Sequence, residues 1–235
     1  LESALEQAEA AVMRGARGLV LHADNWHPGV VGIVASRVVE RFHRPTVLIG
    51  IRDGVGRGSA RSIEGFHLYE AIKACGDVLE RFGGHKAAAG VTVALDKLEA
   101  FRTRFEALCA EKLKPEDLVG RCKIDATVEV FDLKTETVKA LQQLAPFGMG
   151  NAEPTLALER QMAEPRVLPN KTPGEPGHLK LTLGADPLLD VIGFRLAERA
   201  RLIERPVDLA FTLGEDEFRG VRRLALKLKD IRAHG

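Results

Sequence analysis

The sequence changes its pattern at the charged segment 114–117 (Lys-Pro-Glu-Asp). Before this point, short apolar runs alternate with stretches that have the helical spacing of apolar residues; after it, short runs typical of strands dominate. Alternating strands and helices indicate an α/β layer. About five or six strands with short helices suit a small closed barrel or a mixed sheet. The chain of 235 residues is therefore predicted to hold two domains of different fold class.

The first half begins with a helical stripe formed by Leu1, Leu5, Ala8 and Val12. Nothing upstream closes this stripe, and the chain starts at Leu1 instead of Met, so we expect a connector helix and a piece of a longer protein. The other predicted elements are strands 19–23, 46–49, 57–61 and 90–94, and helices 30–42 (Val30, Val31, Val34, Val38 and Phe42 inward), 66–82 and 96–113, the last capped by Asp96.

The second half is predicted to be mainly strands. Residues 165–177 contain four prolines and two glycines, which favours a loop. The segment 146–154 either binds a partner or forms a rigid turn, and we favour the turn. The predicted strands are 122–130, 155–158, 179–183, 189–194, 207–213 and 221–231, with helical segments at 135–145 and 195–203.

Composition excludes several classes of protein. A hydrophobic content of 45% excludes wholesale disorder. A net charge of +1 excludes a protein that holds nucleic acid by bulk positive charge, so a polyanion site must be a local patch. The apolar runs are too short to cross a membrane and no leader pattern is present. The three cysteines (Cys75, Cys109 and Cys122) lie far apart, which argues against a disulfide framework or zinc site and for a reducing, cytoplasmic compartment.

A glycine-rich segment at 54–62 is the first candidate site. It contains three glycines and two arginines in nine residues. Glycines let a backbone approach an anion closely. On a strand, Arg57, Ser59 and Arg61 project from one face, where guanidinium and hydroxyl donors match a phosphate. The alternative is an ordinary glycine-rich hairpin turn.

The segment 81–90 (Arg-Phe-Gly-Gly-His-Lys-Ala-Ala-Ala-Gly) is the second candidate site. It is predicted to follow a helix and precede a strand. Gly83 and Gly84 place His85 on a tight turn, where its imidazole could donate to a phosphate oxygen or transfer a proton. Lys86 adds positive charge. The alternative is a structural histidine.

The last strand carries a third candidate surface. Residues 219–232 contain six basic side chains and one acidic side chain, Asp230. This strand could follow a phosphate backbone, or it could be a solvated edge strand that its charges protect. The basic residues are Arg219, Arg222, Arg223, Lys227, Lys229 and Arg232.

Other motifs favour structure over chemistry. The segment 26–29, which contains the only tryptophan, is predicted to cap a helix and anchor the core. Cys75 and Cys109 are predicted to fill the core. The sequence has no tight Asp/His cluster for a metal, no GxxxxGK[ST] phosphate loop and no GxSxG nucleophile motif. The chain is thus predicted to bind phosphates without cleaving them unaided.

Together these motifs resemble the RecJ family, single-strand-specific 5′-to-3′ DNA exonucleases of the DHH superfamily. The resemblance rests on 26–37, 58–62 with 65–68, and 81–90, and it extends to 146–154 and 177–180. It implies the end of a linker helix at 1–15, an α/β DHH-associated domain (a mixed sheet with flanking helices) at 16–113, and a mainly β OB-fold-like barrel at 114–235. Manganese or magnesium would be bound by a DHH domain absent from this chain.

The resemblance also implies roles for individual residues. Ser59 and Arg61 would bind the 5′ phosphate, and His85 would reach a phosphate near the scissile bond as the catalytic residue. The OB-type domain would hold single-stranded DNA, with backbone contacts from the basic strand outweighing base stacking. The implied function is substrate binding in a DNA repair and recombination exonuclease. The alternatives are a binding module for nucleic acid or protein, such as single-strand-binding protein, and an oligonucleotide phosphodiesterase.

Overall fold

The computed structural model describes residues 1–148, 150–172, 176–184, 189–218 and 220–235. The chain forms two compact units, Leu1–Gly120 and Arg121–Gly235. Residues 114–118 belong to the first unit: Arg44 Nη1 donates to the Leu118 carbonyl at 2.8 Å, and Leu118 packs against that unit's core. The domain boundaries inferred from the sequence stay predictions.

The first unit is a five-stranded mixed sheet with helices on both faces. The strand order is β1-β2-β3-β5-β4; β1 and β2 are parallel and the other neighbours are antiparallel. The α/β prediction is confirmed. The elements are α1 (Glu2–Met13), β1 (Leu19–Ala23), α2 (Pro28–Phe42), β2 (Thr46–Arg52), β3 (Val55–Arg61), α3 (Leu68–Lys73), β4 (Arg81–Gly84), β5 (Ala88–Ala94) and α4 (Leu98–Lys112).

Each face of this sheet packs against its own apolar core. On one face, Leu48 packs with the buried residues of α1 and α2, including Ala35. On the other face, Val91 packs with Phe101 and Phe105 of α4. Alternate residues of a strand point to opposite faces, so the helices cover different sets of strand side chains.

The predicted helix 66–82 is wrong. Helix α3 ends at Lys73, a single 3-10 turn follows at Gly76–Val78, and β4 then adds to the sheet. Glycine is a poor helix former, so Gly76 disfavours a continuous helix here. The Phe82 ring turns inward from β4, with its centroid 6.2 Å from that of the Tyr69 ring.

Two further details of the predicted helices are wrong. Asp96 does not cap α4, because the helix starts at Leu98 after a 3-10 turn and Lys97 occupies the N-cap position. Val30 is 47% exposed, although its spacing predicts an inward direction shared with Val31.

Within its described residues, the second unit is a seven-stranded sheet with one α-helix. The strand order is β6-β7-β11-β12-β10-β9-β8. In the described residues this sheet runs from β6 to β8 and does not close, and it combines parallel with antiparallel pairs. Of the two forms predicted from the strand pattern, the mixed sheet is therefore confirmed instead of the closed barrel, and the β-rich class is confirmed as well. The elements are β6 (Ala126–Thr127), α5 (Thr135–Gln142), β7 (Leu156–Gln161), β8 (Ala163–Leu168), β9 (His178–Leu183), β10 (Leu189–Gly193), β11 (Val207–Phe218) and β12 (Val221–Ala233).

Several predicted bounds in this unit also change. The strand predicted at 122–130 is limited to the two residues of β6, and a 3-10 turn forms at Val130–Asp132. The predicted loop 165–177 begins later, because β8 includes Pro165; proline is tolerated there because β8 lies at the end of the strand order. Residues 173–175 of that loop lie outside the described residues.

The segment 146–154 forms a closed turn. Gly148 and Asn151 exchange backbone hydrogen bonds of 2.8 and 3.1 Å, and Asn151 Nδ2 donates to the carbonyls of Leu144 and Pro146. These bonds support the predicted turn; Met149 lies outside the described residues.

None of the helices described here has both the length and the apolar content that a membrane crossing requires.

A buried carboxylate joins three segments of the second unit. Asp208 is 8% exposed and accepts hydrogen bonds from Arg160 N at 3.0 Å and Arg232 Nε at 2.8 Å; His234 Nδ1 lies 2.7 Å from its Oδ1 atom. Burial alone would raise the pKa of Asp208, but these hydrogen bonds outweigh it and lower the pKa from 3.8 to about 2.

The free energy of unfolding is expected to depend on Asp208 ionisation. Because its folded pKa is lowered, the stabilisation is present above about pH 4 and is lost as pH falls toward about 2. We expect Asp208→Asn to lower stability at pH 7 by about 1–3 kcal/mol and to flatten this acid dependence. Denaturant midpoints across pH measure both effects. Asp216→Asn, an exposed control, should keep the wild-type profile; an unchanged profile for Asp208→Asn would contradict the assignment.

Candidate nucleic-acid interface

Three of the predicted phosphate-binding side chains share one face of β3. Arg57, Ser59 and Arg61 alternate along the strand with Gly58 and Ala60. Ala60 is fully buried in the core on the α4 side, so the other three residues point toward the α2 side of the sheet. This agrees with their even spacing in the sequence.

Ser59 and Arg61 form a hydrogen-bonded pair. Arg61 Nη1 donates to Ser59 Oγ at 2.9 Å and to the Ala60 carbonyl at 2.9 Å. Because the Ser59 oxygen accepts this bond, its own O–H is available to a ligand. No carboxylate among the described residues pairs with Arg61. The pair therefore offers a positive charge and several donors, which is the chemistry that binds a phosphate.

Helix α2 lies directly against this pair. A Cβ placed on Gly32 would be 3.0 Å from Arg61 Nη2 and 3.1 Å from Ser59 Oγ, so the glycine permits the close approach.

The helix starts at Pro28, and its N-cap is His27, whose Nδ1 accepts from Gly29 N at 3.0 Å. The capping role predicted for 26–29 is confirmed.

The Gly-Gly-His segment forms the β4–β5 hairpin. His85 N donates to the Ala88 carbonyl at 2.7 Å. Gly84 has a φ of +148°, and a Cβ there would be 2.4 Å from the Ala88 oxygen, so this position requires glycine. The side chains of His85 and Lys86 are exposed on the turn. The tight turn is confirmed, but a strand precedes it instead of the predicted helix.

Strand pairing brings the two glycine-rich segments together. Ser59 of β3 lies opposite Gly90 of β5, and Gly90 lies opposite Gly83 of β4. Arg61 lies opposite Ala88, next to the hairpin that carries His85. The residues predicted from the two segments thus lie in one sheet, on β3 and on the hairpin formed by β4 and β5, with β5 between β3 and β4.

Arg81 also lies on this face, although the sequence pattern did not mark it as a candidate. Arg81 and Gly83 have the same even spacing on β4 as Arg57 and Ser59 on β3. The helix predicted over 66–82 prevented this inference, because residues two apart on a helix, such as Arg81 and Gly83, project in different directions.

The basic strand β12 is not an edge strand. It lies between β11 and β10 in the sheet, so that alternative is wrong. Leu224, Leu226 and Leu228 pack toward the core of the unit, while Arg223 and Lys227 are exposed. Arg222 and Arg223 are consecutive and project to opposite faces, so the basic residues that the structure describes on β12 do not form one row.

Acidic partners reduce the charge of this strand. Arg222 pairs with Glu217 at 3.8 Å, and Arg223 lies opposite Asp216 in the β11–β12 register. Arg232 is held by Asp208, as described above. Lys229 Nζ donates to Thr155 Oγ1 at 2.8 Å. Arg219 lies outside the described residues. The local field is weaker than the composition of 219–232 suggested.

Two of the three cysteines lie in the core. Cys75 and Cys109 are fully buried, as predicted for core residues, and burial raises the pKa of the Cys75 thiol to about 11. Within the described ranges, no three His, Cys, Asp or Glu side chains come together in a way that could hold a metal ion. The side chains that the structure describes therefore do not assemble a ligand set for manganese or magnesium.

Comparison with known proteins covers both units. A DHHA1 domain model matches residues 15–111, and a RecJ OB domain model matches residues 124–230. The chain is 37% identical to the single-stranded-DNA-specific exonuclease RecJ of Bacillus subtilis over 77% of this chain and 23% of that protein. It is 35% identical to RecJ of Salmonella typhimurium over 91% of this chain and 38% of that protein.

The chain belongs to the RecJ family. A crystal structure of RecJ from Thermus thermophilus in complex with Mg2+ matches 97% of this chain and 36% of that one, with a TM-score of 0.74 and 32% identity. A second crystal structure of that protein contains Mn2+. The present chain spans 23% and 38% of the two curated relatives named above.

Proposed function

We propose that this chain is the C-terminal, substrate-binding part of a single-strand-specific 5′-to-3′ DNA exonuclease that acts in DNA repair and recombination. The names of its relatives support the reaction class. The observation that carries the proposal for this chain is the Ser59–Arg61 pair, a fixed set of phosphate donors without a carboxylate partner among the described residues.

In this proposal, Ser59 and Arg61 bind the 5′-terminal phosphate. The guanidinium N–H groups not used by Ser59 and Ala60 donate to the phosphate oxygens, and the Ser59 hydroxyl adds a further donor. Holding the terminal phosphate sets the distance from the strand end to the reacting bond, which is a positioning effect. His85, exposed on the adjacent hairpin, donates to a phosphate near that bond. Gly83, Gly84 and Lys86 shape and charge the same turn.

Divalent metal chemistry enters this proposal through the rest of the enzyme. Manganese or magnesium would activate a water molecule and stabilise the leaving oxygen. In this proposal, the residues of this chain hold the phosphates and the strand.

The second unit is proposed to bind the following nucleotides. Phe194 is 62% exposed, and its ring packs edge-on against His178 with centroids 5.3 Å apart, which provides a surface for base stacking. Arg223 and Lys227 are exposed cations on β12 that suit backbone contacts. Single-strand-binding protein is proposed as a partner whose acidic tail would compete for these cations.

We expect the 235-residue chain to bind single-stranded DNA in a salt-sensitive way without cutting it. With about three phosphate contacts, affinity should fall roughly ten- to twentyfold between about 50 and 200 mM salt. Fluorescence anisotropy with a labelled oligonucleotide measures the slope, and a gel after incubation with Mn2+ measures cleavage. Efficient Mn2+-dependent cleavage by this chain alone would contradict the proposed division of labour, and salt-independent binding would contradict the phosphate contacts.

A further inference from the structure

The open part of the first sheet has two cross-strand rows on the Ser59 side. In the first row, Arg57 lies opposite Thr92, and Thr92 lies opposite Arg81. In the second row, the Ser59–Gly90–Gly83 pairing described above continues across the same three strands. Directly opposed residues in antiparallel strands project to the same face. A row of donor side chains therefore runs beside a row that has no side chain beyond Ser59.

The two glycines of the second row have no internal explanation. Neither Gly83 nor Gly90 has a positive φ. A Cβ on Gly83 would meet no atom within 4 Å, and one on Gly90 would meet only the Gly58 oxygen at 3.9 Å. Gly84, in contrast, is required by its conformation. Glycine inside a strand costs about 0.5–1 kcal/mol relative to alanine, so Gly83 and Gly90 leave room for something outside the protein.

The two arginines of the first row also lack internal partners. Arg57 and Arg81 are exposed, and neither guanidinium group forms a hydrogen bond or ion pair with any residue that the structure describes. They lie two strands apart, about 10 Å between their backbones, with Thr92 between them. In contrast, Arg102 and Arg104 on α4 pair with Glu99 and Asp77. Two neighbouring unpaired cations repel each other, and an anion between them would relieve that repulsion.

We propose that this face binds the phosphodiester that follows the terminal phosphate. The sugar-phosphate backbone crosses the sheet along the Ser59–Gly90–Gly83 row, where the missing side chains let it approach the strands. Arg57 and Arg81 donate to its phosphate oxygens from the neighbouring row, and the Thr92 hydroxyl adds a donor. This inference rests on the proposed binding of the terminal phosphate by Ser59 and Arg61, and it adds Arg81, Thr92 and Gly90 to the substrate-binding surface.

The test compares one phosphate with two. Thymidine 5′-monophosphate has only the terminal phosphate, whereas the 5′-phosphorylated thymidine dinucleotide has the following phosphodiester as well. Titration of the 235-residue chain by NMR gives both dissociation constants. We expect Arg81→Ala to weaken dinucleotide binding about three- to tenfold and to leave mononucleotide binding within about twofold. Arg102→Ala removes the same charge on α4, under the other face, and should change neither constant.

Gly90→Ala separates a ligand effect from a folding effect. We expect it to weaken dinucleotide binding about threefold while the melting temperature stays the same or rises, because alanine is favoured over glycine in the strand. A clear fall in melting temperature would show that Gly90 serves the fold, and would overturn the inference.

The remaining outcomes separate this inference from the proposed function. If Arg61→Ala weakens both ligands and Arg81→Ala weakens neither, the second phosphate site is wrong and the terminal site stands. If Arg61→Ala changes neither constant, the terminal site is wrong and the second site falls with it. Equal weakening of both ligands by Arg81→Ala would also overturn the second site, since it would place Arg81 at the terminal phosphate.

Discussion

Arg61→Ala is expected to abolish the preference of this chain for 5′-phosphorylated over 5′-hydroxyl single-stranded DNA. The wild-type preference should be about tenfold or more, because charge-assisted hydrogen bonds to a phosphate contribute about 1.5–3 kcal/mol. The variant removes the guanidinium and also leaves Ser59 without the donor that orients its hydroxyl. The measurement is the ratio of the two dissociation constants at one salt concentration.

Two further variants make this result specific. Arg61→Lys keeps the charge but loses the planar fork, so it should retain only part of the preference. Arg102→Ala on α4 should leave the ratio unchanged. If Arg61→Ala weakens both oligonucleotides equally and preserves the ratio, Arg61 contributes general charge and does not bind the terminal phosphate.

Phe105→Ala is expected to destabilise the first unit by about 3–5 kcal/mol. Phe105 is fully buried, its ring centroid lies 6.0 Å from that of Phe101, and a Cβ on Gly18 would lie 3.2 Å from its Cε1. Removing the ring leaves a cavity between α4 and the sheet, on the face opposite the candidate site.

Denaturant unfolding followed by tryptophan fluorescence measures this effect, because Trp26 is the only tryptophan and packs in the first unit. Ile33→Ala is the control: Ile33 is 66% exposed on α2, so its truncation should change stability by about 0.5 kcal/mol or less. A loss below about 1 kcal/mol for Phe105→Ala would show that α4 does not support the sheet as described.

Local pattern predicts much of the first unit. The strand 19–23 has its predicted bounds, and helix 30–42 and strand 57–61 lie within two residues of theirs at each end. Apolar residues define the first two, and the even spacing of Arg57, Ser59 and Arg61 after a glycine-rich turn defines the third. Segment 66–82 differs because several of its apolar residues fit a helical spacing while the free edge of β5 was available to β4. Propensity cannot weigh a hydrogen-bonding edge that another part of the chain supplies.

The candidate site, too, could be predicted from the sequence only in part. Alternation places Arg57, Ser59 and Arg61 on one face without any tertiary information. Strand order could not be derived, so the adjacency of Gly90 and Gly83 with Ser59 stayed hidden. The acidic neighbours of β12 could have been predicted from the sequence, because residues 215–217 come shortly before Arg222 and Arg223. If the two segments are interpreted as strands of one hairpin, the acidic residues lie opposite the two arginines.

The bonds that hold Arg61 have a consequence for binding entropy. A free arginine side chain loses about 1.5–2 kcal/mol of rotamer freedom when it is fixed. Here Nη1 is already bound to Ser59 Oγ and the Ala60 carbonyl, and Gly32 of α2 lies against Nη2. Much of that ordering occurs when the protein folds, so the arriving phosphate meets a pre-organised donor set, and more of the contact energy becomes affinity.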